Sequence, residues 1–208
     1  IPVKLEDMMY HATAVTKAVK NGIVVVDMPF GTVEVSVEKA KENACRLFQS
    51  CNIQALKIEA KLNNIDAIKG IIEMGIPVMA HIGFTPQSVN QIGGYYVQGK
   101  TNNEAKQLIQ LALKLEEIGC CGIVLELIPA DIADKITKRI KIPTIGIGAG
   151  PSCDGQVLVF HDLIGYENRA YPKFVKNYVN THNIILTALK DFKTDIEMGD
   201  FPMEPLNE

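Results

Sequence analysis

Short apolar runs alternate with helical patterns along the whole chain, and this alternation constrains the fold more than any other feature. The runs cover 22–30, 53–59, 76–84, 121–128, 142–150 and 155–163. Most of them are almost continuously hydrophobic and rich in Val and Ile, as expected of parallel strands covered on both faces. The alternation therefore predicts βαβ units and a parallel sheet.

Helix-start and helix-stop signals lie in the intervals between the runs. The candidate caps are Ser36, Asn63 or Asn64, and Thr101 with Glu104; Pro129 suits a first turn, and Gly75 and Gly119 suit helix ends. Capping residues before apolar periodicity and glycines after it are typical of helix boundaries. Residues 1–20 read as a loop and a helix that lead into the first run.

The number of units points to a (β/α)8 barrel. Such a barrel needs eight βα units in about 250 residues, and this chain of 208 residues shows about six. We predict one α/β domain over 1–208, a TIM barrel whose first two βα units would lie before residue 1. The segment 85–100 is too long for an ordinary βα loop and indicates a functional loop. The end of the chain, 198–208, is predicted to be a surface segment.

Composition excludes several classes of partner. The net charge is −3 without a Lys/Arg cluster, so no nucleic-acid partner is expected. No apolar run suits a bilayer span or a signal peptide, so no membrane partner is expected. The odd number of cysteines, with Cys120 and Cys121 adjacent, suits buried thiols in a reducing compartment and predicts a cytoplasmic protein.

Ionisable residues stand at the carboxyl ends of four consecutive runs. They are Asp27, Lys57, Glu59, His81 and Glu126. In (β/α)8 enzymes the catalytic groups gather at this end of the strands. Lys57 and Glu59 are two residues apart in a strand and therefore share a face.

Structural explanations compete with this functional one. Asp27 could cap a turn, Lys57 and Glu59 could form a surface pair, and His81 could be a satisfied core histidine. Glu126 is the hardest to explain structurally, because its neighbours are apolar and burying an unpaired carboxylate is costly. The glycines of 146–150 suit either a phosphate cradle or close approach of the backbone to a ligand.

The five residues have a common chemical logic. Asp27 and Glu59 are hard oxygen donors suited to Mg²⁺, which could chelate a 2-keto acid and act as a Lewis acid on its enolate. Lys57 would add positive charge where the oxyanion develops. Glu126 could take a proton from the carbon next to the carbonyl. These roles predict enolate chemistry on a small keto acid.

Longer motifs at the same positions resemble the ketopantoate hydroxymethyltransferase family. The matching stretches, in family order, are "DMPF" (27–30), "LKIE" (56–59), "MAHIGFTPQSV" (79–89), "GGYYVQGK" (93–100), "VLELIP" (124–129), "IPTIGIGAGPSCDGQVLVFHD" (142–162) and "PKFVKNY" (172–178). They extend over nearly all of the chain. The combination of "HIGFTPQSV", "IGIGAG" and "DGQVLV" is highly specific.

The resemblance implies a fold, a reaction and an assembly. It implies a barrel of the phosphoenolpyruvate/pyruvate superfamily that forms a homo-oligomer, typically a decamer. It implies Mg²⁺-dependent transfer of a one-carbon unit from 5,10-methylenetetrahydrofolate to 3-methyl-2-oxobutanoate, giving 2-dehydropantoate on the route to pantothenate and coenzyme A. By motif, Asp27 and Glu59 would serve the metal, and Glu126 would be the general base. Asp27, Lys57 and His81 would contact substrate.

The chain departs from the family pattern at three places. The Gly-Asp-Ser motif, whose Asp is the other metal ligand, is absent from these 208 residues. Ala60 and Lys61 replace two usual glycines, and Tyr96 replaces a usual Lys. Two other hypotheses stay open at this level. One is a Mg²⁺-dependent C–C or P–C lyase acting on a related acid, and the other is a non-catalytic barrel kept for assembly.

Overall fold

The computed structural model describes residues 1–202, so the last part of the predicted surface segment, 203–208, lies outside the described residues. The chain divides into two compact units, one formed by Ile1–Val157 and one that begins at Leu158. That 1–208 forms a single barrel domain stays a prediction. Among the described residues, no helix is both long and apolar enough to cross a membrane.

Helices and strands alternate through the first unit, as the sequence predicts. In order they are α1 (Leu5–Ala18), β1 (Val25–Asp27), α2 (Val37–Ser50), β2 (Ala55–Glu59), a 3₁₀ turn (Leu62–Asn64), α3 (Ile65–Glu73), β3 (Val78–Gly83), a second 3₁₀ turn (Pro86–Ser88), α4 (Val89–Ile92), α5 (Asn102–Glu117), β4 (Gly122–Glu126), α6 (Ala130–Thr137), β5 (Thr144–Ile147) and β6 (Gly155–Gln156). The second unit contains α7 (Phe160–Leu163) and α8 (Thr181–Met198).

The strands of the first unit form one parallel sheet. Their spatial order is β1-β2-β3-β4-β5-β6, the same as their order in the chain, and each neighbouring pair is parallel. A doubly wound sheet would reverse its strand order at a switch point, whereas a (β/α)8 barrel adds each strand beside the previous one. The sheet is therefore a curled part of a TIM barrel, and the predicted fold class is confirmed.

The two faces of the sheet differ in cover. The face that packs under the helices carries side chains that are at most 2% exposed: Leu56, Ile58, Val78, Ala80, Ile82, Ile123 and Leu125. Residues of the opposite face are only half-buried in many cases, among them Lys57, Met79, Glu126, Ile145 and Ile147. The sequence predicted that both faces of the sheet would be buried. That prediction is right only for the face that packs against the helices. The half-covered face is where polar side chains can meet a ligand.

Most of the predicted helix boundaries are confirmed. The Ser36 hydroxyl accepts a hydrogen bond from the Lys39 amide at 3.1 Å, and Thr101 forms the predicted capping box with Glu104. Gly75 follows the end of α3 with a φ of +89°, a conformation that favours glycine. The boundaries were predictable because each depends on residues that are close in sequence.

The prediction of a strand over 155–163 is wrong beyond its first residues. Only Gly155–Gln156 pairs with β5, and the chain then turns into α7. The last bond to β5 runs from the Val157 amide to the Gly146 carbonyl at 3.0 Å. Val159 and Phe160 are exposed, so the apolar run does not enter the sheet that its composition favours.

Candidate active site

All five predicted site residues lie on the half-covered face of the sheet. Asp27 is in register with Lys57, and Glu59 is in register with His81. Lys57 and Glu59 are two residues apart, and Glu126 lies two residues beyond the partner of His81. Side chains in register on parallel strands, or two apart in one strand, point to the same side. The sheet therefore brings the five side chains to one face near its carboxyl edge.

Lys57 lies between the carboxylate of Asp27 and the imidazole of His81. Its ammonium forms an ion pair with Asp27 and lies 3.4 Å from Nδ1 of His81. An ammonium group can only donate hydrogen bonds, so Nδ1 must accept. In the neutral ring the proton is then on Nε2, and this nitrogen is the donor of His81.

The donor nitrogen of His81 has no hydrogen-bond partner among the described residues, although a carboxylate is close. Nε2 lies 3.1 Å from Oε2 of Glu126, close enough for an ion pair. That contact does not meet the geometry of a hydrogen bond, so Nε2 forms none within the described residues. The His81 side chain is only 3% exposed, and a buried unsatisfied donor is costly. The missing hydrogen bond at Nε2 favours a binding role for His81 over that of a satisfied core histidine.

Glu59 is buried, and its carboxylate is held by the backbone of the 85–100 segment. The amide of Gln87 lies 3.1 and 3.2 Å from its two oxygens. Burial raises the pKa of Glu59, while the Gln87 amide and the electrostatic influence of His81 and Lys57 partly offset that rise. The charge of Asp27 raises it further. These groups therefore lie close enough together to act on one another electrostatically.

Sequence reasoning missed two neutral residues that hold Glu59 in place. Gln87, besides its amide bond to Glu59, donates through Nε2 to the Met28 carbonyl at 3.0 Å. Asn64 donates through Nδ2 to the Glu59 carbonyl at 2.9 Å and accepts from the Lys61 amide at 2.8 Å. Asn64 was predicted as a possible cap of α3, but its side chain makes no such cap. Gln87 lies in the segment predicted to be functional, which was the one available signal.

Packing within the protein explains two of the glycines in 146–150. A Cβ on Gly150 would lie 2.5 Å from the Cβ of Ala130, at the start of α6. A Cβ on Gly146 would lie 2.9 Å from Sγ of Cys153. Both distances are shorter than real contacts allow, so a side chain at either position would force its neighbour to shift even without a ligand. The alternative of a phosphate cradle gains no support from this geometry.

The departures from the family pattern lie beside the five residues, not among them. Nζ of Lys61 donates to Oε1 of Gln91 at 3.0 Å, so it contacts the 85–100 segment. Tyr96, in the same segment, is exposed. Ala60 is buried directly after Glu59. The substitutions therefore alter the surroundings of the segment and leave the five ionisable side chains unchanged.

The carboxylates of the site fit a magnesium ion that keeps part of its water shell. Within residues 1–202, no group of three or more His, Cys, Asp and Glu side chains is placed to hold a metal. Asp27 and Glu59 are two carboxylates whose charges influence each other. Mg²⁺ is usually held by one or two carboxylates, with waters and substrate completing the octahedron. The donor set suits this ion and does not suit an all-protein zinc cage.

Comparison with known proteins connects this site to a family. The family described as ketopantoate hydroxymethyltransferase matches residues 1–204. The chain is 46% identical over 204 residues to the 3-methyl-2-oxobutanoate hydroxymethyltransferase of Geobacter sulfurreducens. This match covers 98% of this chain and 76% of that protein. For the proteins of the same name from Clostridium beijerinckii and Thermosipho melanesiensis, identity is 47% over 98% of this chain, and the match covers 74% and 77% of those proteins.

Similarity to solved structures is weaker. The carboxyl transferase domain of Rhizobium etli pyruvate carboxylase aligns with a TM-score of 0.49 and 15% identity, over 68% of this chain and 25% of that one. The match to the family and the identities to its curated members are decisive. The chain belongs to the ketopantoate hydroxymethyltransferase family, as its motifs predicted, and it is an enzyme of the one-carbon transferase class.

Proposed function

We propose that this protein transfers a hydroxymethyl group from 5,10-methylenetetrahydrofolate to 3-methyl-2-oxobutanoate and forms 2-dehydropantoate for pantothenate biosynthesis. Membership of the family and the names of its relatives support the reaction and the keto acid. The observation that carries the proposal within this chain is the contact between Glu126 and His81, beside Lys57, on one half-covered face. Family membership also favours this reaction over the lyase and over a non-catalytic barrel.

Glu126 is proposed to start the reaction as general base. Its side chain is 16% exposed, so it is reachable by a substrate and still partly shielded from water. It takes the proton from C3 of the keto acid, and the electron pair of that C–H bond forms the enolate. The enolate carbon then attacks the methylene carbon of the folate, whose two C–N bonds are replaced by the new C–C bond and by the hydroxyl of a water molecule. The two nitrogens of the released tetrahydrofolate take up the proton removed from C3 and the remaining proton of that water.

Lys57 and His81 are proposed to bind the oxygens of the keto acid. The ammonium of Lys57 supplies positive charge beside the position where the enolate oxygen becomes negative. The Nε2–H of His81, which forms no hydrogen bond among the described residues, donates to a substrate oxygen. Both groups are held in place before substrate arrives, so little reorganisation is needed during the reaction.

Asp27 and Glu59 are proposed to hold Mg²⁺. The ion would supply Lewis-acid polarisation of the keto oxygen when it is bound. The Asp27 side chain is 47% exposed, which leaves its carboxylate accessible to a hydrated ion, while Glu59 is fixed by the Gln87 amide.

From the family resemblance we further propose a cytoplasmic homo-oligomer, typically a decamer.

Proton exchange tests the proposed reaction directly. With Mg²⁺ and without folate, the full-length protein should replace the C3 proton of 3-methyl-2-oxobutanoate by deuterium from the solvent, measured by NMR. Glu126→Gln should lower the exchange rate by about 10²–10⁴-fold, the usual contribution of a general base. Glu73→Gln, on the exposed side of α3, is the matched control and should exchange at the wild-type rate. Exchange that is unchanged in Glu126→Gln would refute the assignment of the base.

A further inference from the structure

The residue that follows the proposed base has an unusual backbone conformation. Leu127 has a φ of +47°, and no other non-glycine residue among the described 1–202 has a positive φ. A Cβ makes this left-handed region costly, and the residue types that accept it most readily are glycine and asparagine. Strained backbone of this kind persists only where the surrounding structure determines it, and it concentrates at functional sites.

Hydrogen bonds from three elements hold the corner at Glu126 and Leu127. The Phe84 amide, after β3, donates to the Glu126 carbonyl at 2.8 Å. The Leu127 amide donates to the Ile147 carbonyl of β5 at 2.9 Å. The Gln98 amide, in the 85–100 segment, donates to the Leu127 carbonyl at 2.8 Å. The peptide plane between Glu126 and Leu127 is thus fixed from both neighbouring strands, and the next carbonyl is fixed by the functional segment.

Close approach of β3 to the same corner adds a steric constraint. A Cβ on Gly83 would lie 2.2 Å from the Glu126 carbonyl oxygen and 2.7 Å from Cγ2 of Ile128. Gly83 itself has a φ of +96°. The end of β3 therefore touches the backbone of Glu126 where a side chain cannot fit, and the corner cannot shift toward β3.

We propose that Leu127 is a positioning residue whose left-handed backbone aims the Glu126 carboxylate into the site. Relaxing φ of Leu127 to a negative value would rotate the peptide plane that Phe84 and Ile147 hold, and the Cα–Cβ direction of Glu126 would turn with it. The carboxylate would then leave its place 3.1 Å from Nε2 of His81. This inference rests on the proposed role of Glu126 as general base.

Three substitutions separate the backbone conformation of Leu127 from its side chain. Leu127→Val keeps an apolar side chain, but its β-branch resists a positive φ. Leu127→Asn and Leu127→Gly discard the apolar side chain and accept that φ. We expect Leu127→Val to lose on the order of a hundredfold in kcat for C3 proton exchange, as a misplaced catalytic group does, with KM for the keto acid unchanged. Leu127→Asn and Leu127→Gly should stay within roughly threefold of the wild type in kcat.

Leu125→Val is the matched control, because it makes the same change two residues earlier, inside β4 and on the face under the helices, where Leu125 is fully buried. It should lower Tm and leave kcat for exchange unchanged. Wild-type exchange in Leu127→Val would overturn the positioning role, and equal losses in all three Leu127 variants would show that the side chain matters instead. If the wild type itself exchanges nothing, the proposed function fails.

Crystal structures of the wild type and of Leu127→Val give a readout that does not need activity. The distance from Glu126 Oε2 to His81 Nε2 should increase in the variant and stay near its wild-type value in Leu127→Asn. An unchanged distance in Leu127→Val would overturn the positioning role even if the exchange rate falls.

Discussion

At the scale of single residues, the charged side chains of the candidate site could be predicted from the sequence, and the neutral side chains that support them could not. Asp27, Lys57, Glu59, His81 and Glu126 stood out because an ionisable side chain in an apolar run is costly unless it has a partner. Gln87 and Asn64 hold Glu59 through a backbone amide and a side-chain amide. Neither group disturbs the composition of a strand, so only the unusual length of the 85–100 segment pointed toward Gln87, and nothing in the sequence indicated the bond from Asn64 to Glu59. Contacts of this kind depend on where two loops meet in space.

The pKa of Glu59 leads to a prediction on stability against pH. Burial raises this pKa above its ordinary value of 4.5. The folded state therefore holds the proton more tightly than the unfolded state. The resulting stabilisation is present below about pH 4.5 and is lost as pH rises through the raised folded pKa. Glu59→Gln stays neutral and lacks this loss, so without metal it should gain stability over the wild type as pH rises from about 4.5 to 7.

Chemical denaturation in the presence of EDTA, at several pH values, measures this difference. Glu73→Gln, which removes an exposed carboxylate, should follow the wild type at every pH. A Glu59→Gln variant that differs from the wild type by the same free energy of unfolding at pH 4 and pH 7 would contradict the prediction. Added Mg²⁺ should raise the Tm of the wild type more than that of Glu59→Gln, because the variant lacks one proposed ligand.

At the scale of elements, boundaries set by local residues were predictable and boundaries set by neighbours were not. Ser36 and Thr101 begin their helices through bonds that span three residues, so a short window of sequence contains the whole cause. The end of β6 depends on whether β5 continues beside it, and no local pattern contains that information. The corner at Leu127 likewise needs β3 and β5 to be in place.

The turn after β2 gives a prediction that separates two adjacent asparagines. Asn64 is buried and bonds both the Glu59 carbonyl and the Lys61 amide, whereas Asn63 is exposed. Asn64→Ala leaves a buried carbonyl and a backbone amide without their partners and should lower the free energy of unfolding by about 1–3 kcal/mol. Asn63→Ala should change it by less than about 0.5 kcal/mol. Urea denaturation of both variants tests this, and equal effects would show that the Asn64 bonds do not matter for stability.

At the scale of the whole molecule, the strand order could be predicted from the sequence, and the solvent exposure of individual side chains could not. Alternating strands and helices allow few topologies, because crossover connections between parallel strands are right-handed and short. The cysteines show the opposite case. Cys120 and Cys121 were both expected to be buried, and that is right for Cys120 and wrong for Cys121, which is exposed. Adjacent residues entering β4 alternate in direction, so composition alone cannot assign their environments.

This pair of thiols reports on unfolding of the first unit as a whole. Burial raises the pKa of Cys120 to about 12, so almost no thiolate forms there at pH 8, and the thiol is also covered. Partial burial of its thiol raises the pKa of Cys121 as well, although the residue as a whole is exposed to solvent. The labelling of Cys121 should therefore accelerate as pH rises and more thiolate forms. With a thiol reagent at pH 8, Cys121 should be modified in the native protein and Cys120 only at the rate of unfolding.

Peptide mapping by mass spectrometry after timed labelling distinguishes the two sites, with Cys120→Ser and Cys121→Ser as reciprocal controls. Urea should accelerate the labelling of Cys120 much more steeply than that of Cys121, because only the first requires the strands and helices around β4 to separate. Parallel acceleration of both thiols would mean that β4 opens locally at its amino end. Leu115 and Ile123 are fully buried in the core under the helices, which implies that this core unfolds cooperatively. Local opening of β4 would show that its unfolding is less cooperative than that.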